Sequence, residues 1–311
     1  MTASVTVAVV GAAGVAQELG KKGTASDLTL FNAVHDEHSA TLVEPTQFPD
    51  KLAPLFQALA MADHALLVLQ ELAKPVGETI AAVDLHDVGT TVVVGPTVGA
   101  AEVDRVLKGT RLEGSPRLPL DLPRLREAVD GWAAPPADGP VEVPIDHAFP
   151  VKGVGAVALG VVRRGVLHAH DRLRLFPTEK EVEVRSLQVH DVDRRDASVG
   201  ERVGVALRGV DADELARGQV LAPAGTLRDG PTVRGGGLER CRYYRGDAGP
   251  GARLHLALGL QVVPAVLESA EPARVSVTAD RPVVWREGTW GFLLDLSVPA
   301  GPRVVGRFRA A

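Results

Sequence analysis

Cysteine is almost missing from this sequence: Cys241 is the single such residue in 311. An internal disulfide is thereby excluded, and a reducing, cytoplasmic setting is expected, with Cys241 itself read as structural. Long apolar runs are missing too. None approaches the ~18–20 residues that a membrane span needs, and the N-terminus lacks the basic-plus-apolar pattern of a signal peptide. No Ser/His/Asp or Cys/His grouping offers a nucleophile with its base, and there is neither a low-complexity segment nor a solenoid repeat. What remains is ordinary for a soluble globular chain: 45% of residues are hydrophobic and 23% charged. The length suffices for two or three domains, each with its own core.

The formal net charge of −5 is unevenly spread. Residues 1–140 carry 10 Lys+Arg against 18 Asp+Glu, a balance of −8, whereas the remainder carries 24 against 21, a balance of +3. A mildly basic C-terminal side suits contact with a polyanion. Ordinary solvated surface gives the same asymmetry, so charge alone does not choose.

The first third alternates short apolar runs with helical patterns. Residues 5–10, 28–31, 40–43, 65–69 and 90–94 read as strands. Residues 51–62, 76–83, 102–108 and 123–132 carry apolar side chains at helical spacing. Such alternation predicts a doubly wound α/β sheet covered on both faces. Residues 133–140, AAPPADGP, form a linker by composition. Beyond it, short β segments at 141–145, 156–162, 172–176, 182–190 and 202–208 predict a small closed barrel. A second all-β stretch follows, with strands expected at 237–244, 254–267, 273–279, 289–296 and 303–308. The expected organisation is therefore an α/β domain over 1–138 and two β-barrels over 139–224 and 225–311.

The run VPIDHAFPVKGVGAVALGVVRRGVLHAHDRLRLFP, then VRSLQVHDVDRRDASVGERVGVALRGVDADELARGQVLA, resembles domain II of EF-Tu-type elongation factors. Many spaced parts agree: Gly153 and Gly155 before a strand, Gly160 at its end, Gly165 in the next turn, then Gly209 and Gly218. Tight hairpins and barrel corners need positive φ or close backbone approach, which glycine supplies. Within that superfamily the run is most similar to selenocysteine-specific factors of the SelB type. Asp146-His147 stands where those factors carry an Asp followed by Arg or His, and Arg202 stands at their additional Arg. The resemblance implies that these three residues form a pocket for an ionised amino-acid side chain, with charge-assisted donors selecting an anion and Asp146 orienting the histidine. On the bare residues, surface salt bridges are an equal reading. The resemblance further implies that the barrel holds the aminoacyl end of a tRNA.

In this superfamily the first domain is a GTPase whose phosphate loop reads GxxxxGK[ST]. Here Gly11 and Gly14 survive in the turn, but Ala16, Gln17 and Glu18 fill the three defining positions. A carboxylate about 4 Å from a phosphate charge is repelled by about 4 kcal/mol at an effective dielectric of about 20. The DxPGH-like segment aligns with Glu44-Pro45-Thr46-Gln47-Phe48, and NKxD with Gly95-Pro96-Thr97-Val98. Three motifs fail together, so neither GTP, magnesium nor hydrolysis is expected: this is a pseudo-GTPase and not an enzyme. The glycine-rich turn also resembles a Rossmann dinucleotide turn, with Asn32 in place of the expected acid and Asp36 a little beyond. A purely structural strand-to-helix turn is the preferred reading.

Other groupings are weaker. His35-Asp36-Glu37-His38 has metal-like residue types but reads as a solvated loop, and His168, His170 and Asp171 fall on a barrel hairpin; no metal is expected. Arg240, Arg242, Tyr243, Tyr244 and Arg245 mix cations with aromatics as RNA-binding faces do, although strand-face alternation gives a similar pattern. The expected function is binding of tRNA, aminoacyl-tRNA or a related RNA without a GTP switch, with ribosome contact left open and no membrane or DNA partner. The alternatives are a GTP-binding factor with a reorganised site, and a protein-interaction module that kept the fold.

Overall fold

The computed structural model describes residues 3–35, 38–298 and 301–311. Its first strand, Ala3–Val10, is buried at every position but the first. A β-branched run that is apolar on both faces needs cover on both sides, and this strand lies mid-sheet. The order is Lys21–Ala25, Thr29–His35, His38–Glu44, Ala3–Val10, His64–Leu69, Gly89–Val94, Arg117–Pro119. The five strands from His38–Glu44 onward are parallel, and the first two extend the sheet as antiparallel neighbours. Helices Ala53–Met61, Lys74–His86, Ala100–Leu107 and Leu122–Asp130 fill the intervals, which makes the domain doubly wound as expected. Strands Lys21–Ala25 and Arg117–Pro119 escape sequence reading because both are short and largely exposed, without an apolar face.

Topology decides against Asn32 as the ribose-binding position of a dinucleotide turn. After the short helix Val15–Leu19 the chain enters an antiparallel hairpin instead of crossing over to a parallel neighbour. Asn32 stands on Thr29–His35, separated from the first strand by His38–Glu44, so it is not beside strand one; the intervening strand, which is beside strand one and parallel to it, ends at Glu44. Gly11 keeps a backbone role here. Its φ is +99°, and a Cβ at this position would lie 2.4 Å from the Val68 carbonyl oxygen. Gly11→Ala is expected to lower stability by about 1–3 kcal/mol, read by urea denaturation; an unchanged midpoint would refute the tight approach to Val68.

The barrel closes. Its strands run Arg172–Phe176, Val220–Ala222, Val143–Val151, Gly155–Val161, Arg202–Arg208 and Glu181–Val189, and the last pairs back to the first. Alternate residues such as Val143 and Ile145, Leu173 and Leu175, and Val203, Val205 and Leu207 point into one apolar core. Inward alternation filling a small lumen with aliphatic side chains is what makes such a barrel solid. Gly160 permits a close crossing: a Cβ there would meet the Pro144 carbonyl oxygen at 2.3 Å.

The expected second barrel is present as a half-barrel, a seven-stranded sheet. Two of its expected strands differ. Residues 254–267 form a hairpin of Arg253–Leu258 with Gln261–Glu271, reversed at Gly259 with φ +57°, an isolated glycine signal within an otherwise continuous apolar run. In 237–244 only Glu239–Arg240 is a strand, because Tyr244 N–H turns back to the Cys241 carbonyl.

The described residues form two compact units. One comprises those of Met1–Ala134 with Glu239–Ala248 and Leu293–Arg307; the other comprises Pro135–Leu238, Gly249–Phe292 and Phe308–Ala311. The division near 134 falls in the proline-rich linker, whereas residues 225–311, expected to stand together, are shared. Side chains explain why: Arg303 donates to the buried Glu78 carboxylate at 2.6 and 3.0 Å, and Arg307 donates to the Leu85 carbonyl at 2.6 Å. Both partners lie on the Lys74–His86 helix. Among the described residues no helix is long and apolar enough to cross a membrane.

Candidate functional site

Asp146, His147 and Arg202 come together at one end of the barrel. Asp146 sits at a register shift between Ile145 and His147 on strand Val143–Val151. Bulges re-aim side chains, and this one turns a carboxylate inward until it is 1% exposed. Arg202, first residue of its strand, reaches it with Nη2 at 2.7 Å and Nε at 3.3 Å. His147 Nδ1 lies 2.6 Å from the same carboxylate. Burial alone would raise the Asp146 carboxyl, but the Arg202 charge and the hydrogen bonds from His147 and Arg202 hold it below the usual carboxylate range. Both partners stay partly open, with side-chain exposures of 10% for Arg202 and 14% for His147. The result is one ionised carboxylate that fixes a guanidinium and an imidazole side by side.

Two further residues belong to this corner and have no sequence signal. Arg217 Nε donates to the Asp146 carbonyl at 3.0 Å. His190 arrives through register: Val189 pairs with Val203, so the next position on each strand brings His190 alongside Arg202. Burial lowers the His190 pKa, opposed by Glu201 and Asp191 and assisted by the Arg202 charge. Its Nε2 is buried without a hydrogen-bond partner among the described residues.

In the first domain, the turn expected to be a disarmed phosphate loop holds an internal anion. Gly14 N–H points at both Glu44 carboxylate oxygens, at 3.1 and 3.2 Å. Burial pushes the Glu44 carboxyl up from its usual range, while the Gly14 and Ala16 amides hold it down. Glu44 ends its strand, at the position that aligns with the first residue of DxPGH. Glu18 is exposed, and its carbonyl accepts from Arg126 at 2.5 Å; Gln17 is likewise exposed. A cavity of about 600 Å³ opens at these strand ends, lined by Gly11, Glu44, Phe48, Glu71 and Thr97 among others, with two carboxylates and no Lys or Arg.

The remaining candidates separate. Arg240 donates to the Ala248 carbonyl and the Tyr244 hydroxyl to Asp295, both within the fold. Arg242, Tyr243 and Arg245 instead line a surface groove. His38 Nε2 contacts the Trp132 carbonyl at 2.5 Å, Asp36 and Glu37 lie outside the described residues, and His168 and Asp171 bond each other's turn. Among the described residues no group of three or more His, Cys, Asp or Glu could hold a metal ion.

Comparison with known proteins agrees with this layout. The family model for elongation factor Tu domain 2 matches residues 155–222. An uncharacterised protein of Methanocaldococcus jannaschii is 34% identical over 295 residues, 94% of each chain. The selenocysteine-specific elongation factor of that organism is 28% identical over 277 residues, covering 81% of this chain and 59% of the factor. This chain therefore spans under two thirds of that factor's length. Among solved structures, translation elongation factor SelB from Methanococcus maripaludis, in complex with the GTP analogue GPPNHP, superposes with a TM-score of 0.84 at 20% identity, over 99% of this chain and 79% of that one. A bacterial selenocysteine-specific factor, EF-Sec, gives 0.82 at 15% identity, over 99% and 58%. An α/β GTPase-like domain followed by β-barrels is common to all of these folds. On these matches the chain belongs to the EF-Tu/SelB superfamily of translation elongation factors, as a SelB-like member.

Proposed function

We propose that this protein binds the 3′ end of an aminoacylated tRNA, or of a related RNA, in the cytoplasm and without a GTP-driven switch. The observation that carries the reading is the Asp146-centred cluster, in which Arg202 and His147 share one buried carboxylate and remain partly open. His147 faces Asp146 through Nδ1, and its ring stays partly open beside the Arg202 guanidinium. The fixed Arg202 fork adds geometric selectivity for a charged over a neutral side chain.

The absence of a switch is supported by Glu44. Its carboxylate takes the Gly14 amide that a phosphate would need, in a cavity with no cation to offset a triphosphate. A factor that cannot sense a γ-phosphate has no order–disorder switch to drive with hydrolysis.

Titration of the purified chain with aminoacylated and deacylated tRNA at two salt concentrations, with GTP and GDP in parallel, tests both halves. Salt-sensitive binding that prefers the charged form, with no nucleotide affinity, is expected. Loss of all tRNA affinity would move the function to a protein partner, and tight GTP binding would refute the switchless reading.

A further inference from the structure

The first unit carries a second cavity, of about 570 Å³, whose chemistry is opposite to the one beside Glu44. Its floor is aliphatic: Leu72, then Val76 and Ile80, four apart and so on one face of the Lys74–His86 helix. Its rim carries Arg105, Lys108, Arg242 and Arg245. Arg242 is committed to structure. It donates to the carbonyls of Lys108 and Gly109 at 2.6 and 2.5 Å and lies 4.7 Å over the Tyr243 ring, bracing the C-terminal end of helix Ala100–Leu107 and thereby placing Lys108. The other three cations are available. Among the described residues Lys108 and Arg245 have no carboxylate partner, and Arg105 has only an exposed contact with Glu102 at 3.9 Å.

We propose that this groove binds a small amphipathic organic anion, its apolar body on Leu72, Val76 and Ile80 and its acidic group on Arg105, Lys108 and Arg245. The volume lies within the roughly 300–1,000 Å³ range of small-molecule sites, which combine an apolar lining with a few convergent polar groups. A single-stranded RNA fits less well, because RNA is held by open aromatic platforms; here the one aromatic side chain is capped by Arg242 and the floor is aliphatic. The site is separate from the Asp146 cluster and stands or falls independently of the tRNA reading. A nucleoside phosphate and an acyl carboxylate share the required chemistry, and competition separates them.

The probe is 1-anilinonaphthalene-8-sulfonate, titrated into the full chain by fluorescence. One saturable site is expected. The triple variant Arg105→Glu, Lys108→Glu, Arg245→Glu, confined to exposed side chains, should weaken the probe at least tenfold with unchanged thermal unfolding. Leu72→Asp should also weaken it, and Arg202→Lys should not. Displacement by ADP would identify the nucleoside phosphate class, and displacement by decanoate the acyl class. Probe binding indifferent to the triple variant would overturn the site. So would competition by inorganic phosphate alone, which makes the apolar floor irrelevant, or by an oligouridylate alone, which would assign the groove to RNA.

Discussion

Arg202→Glu is expected to lower stability by about 3–5 kcal/mol, the range for breaking a buried ion pair by removing one partner, and to weaken binding of aminoacylated tRNA at least tenfold. Asp146 is buried and held ionised chiefly by the Arg202 charge. A glutamate in its place removes that attraction and sets a second carboxylate against the first. The barrel loses a strand-start anchor at Arg202, while His147 keeps its 2.6 Å contact with Asp146. Arg202→Lys separates fold from function. Lysine preserves the charge but not the fork, so most of the stability should survive while the preference for charged over uncharged tRNA falls. Denaturant unfolding and tRNA titration on both variants decide the matter. Full tRNA discrimination in Arg202→Lys would show that the guanidinium acts only as a brace for Asp146.

The parts of this molecule legible in sequence are those where periodicity or a spaced glycine pattern has one physical solution. The apolar runs at 5–10 and 65–69 had to be central strands, and the glycine-spaced run after 141 had to be a barrel. Asp146, His147 and Arg202 were legible through resemblance alone, since a salt bridge at a strand end looks identical in one dimension. His190 was not legible at all. It reaches Arg202 only because Val189 pairs with Val203, a register fixed by the closed barrel and not by any local signal. Glu44 aligns only as the first residue of a segment whose failure lies at Gln47 and Phe48; the fold makes it a replacement, because two chain segments thirty residues apart meet where its carboxylate caps the Gly14 amide. Arg303 and Arg307 gave no signal either, and they tie late residues to the Lys74–His86 helix.

Acidification between pH 6.5 and about 4 is expected to destabilise the protein through its buried imidazoles. His86 packs beside Phe56, ring centroids 4.9 Å apart, with Nδ1 2.8 Å from the Ala82 carbonyl. Burial lowers its pKa to about 4, partly opposed by the Ala82 and Phe56 backbone contacts and assisted by the Arg307 and Arg111 charges. Between that value and the ordinary 6.5 the imidazole is neutral in the folded chain and protonated in the unfolded one. The unfolded state therefore binds more protons throughout the window, and stability falls as the pH is lowered through it. A shift of this size corresponds to about 3 kcal/mol, fully developed near pH 4. His64, against Trp132 at 3.8 Å and likewise lowered to about 4 by burial, adds to the same window. Asp146 acts in a different range: its carboxyl lies below the ordinary 3.8, so its contribution is present above that value and lost only as the pH falls beneath it. Urea denaturation at pH 7, 5.5, 4 and 3 resolves the two regimes. His86→Leu should flatten the upper one while leaving acid unfolding below pH 4 in place. Glu44 and Glu142, whose carboxyls burial raises, act with the opposite sign in this window, so the deciding comparison is with His86→Leu: a pH profile identical to wild type would sink the buried-histidine account.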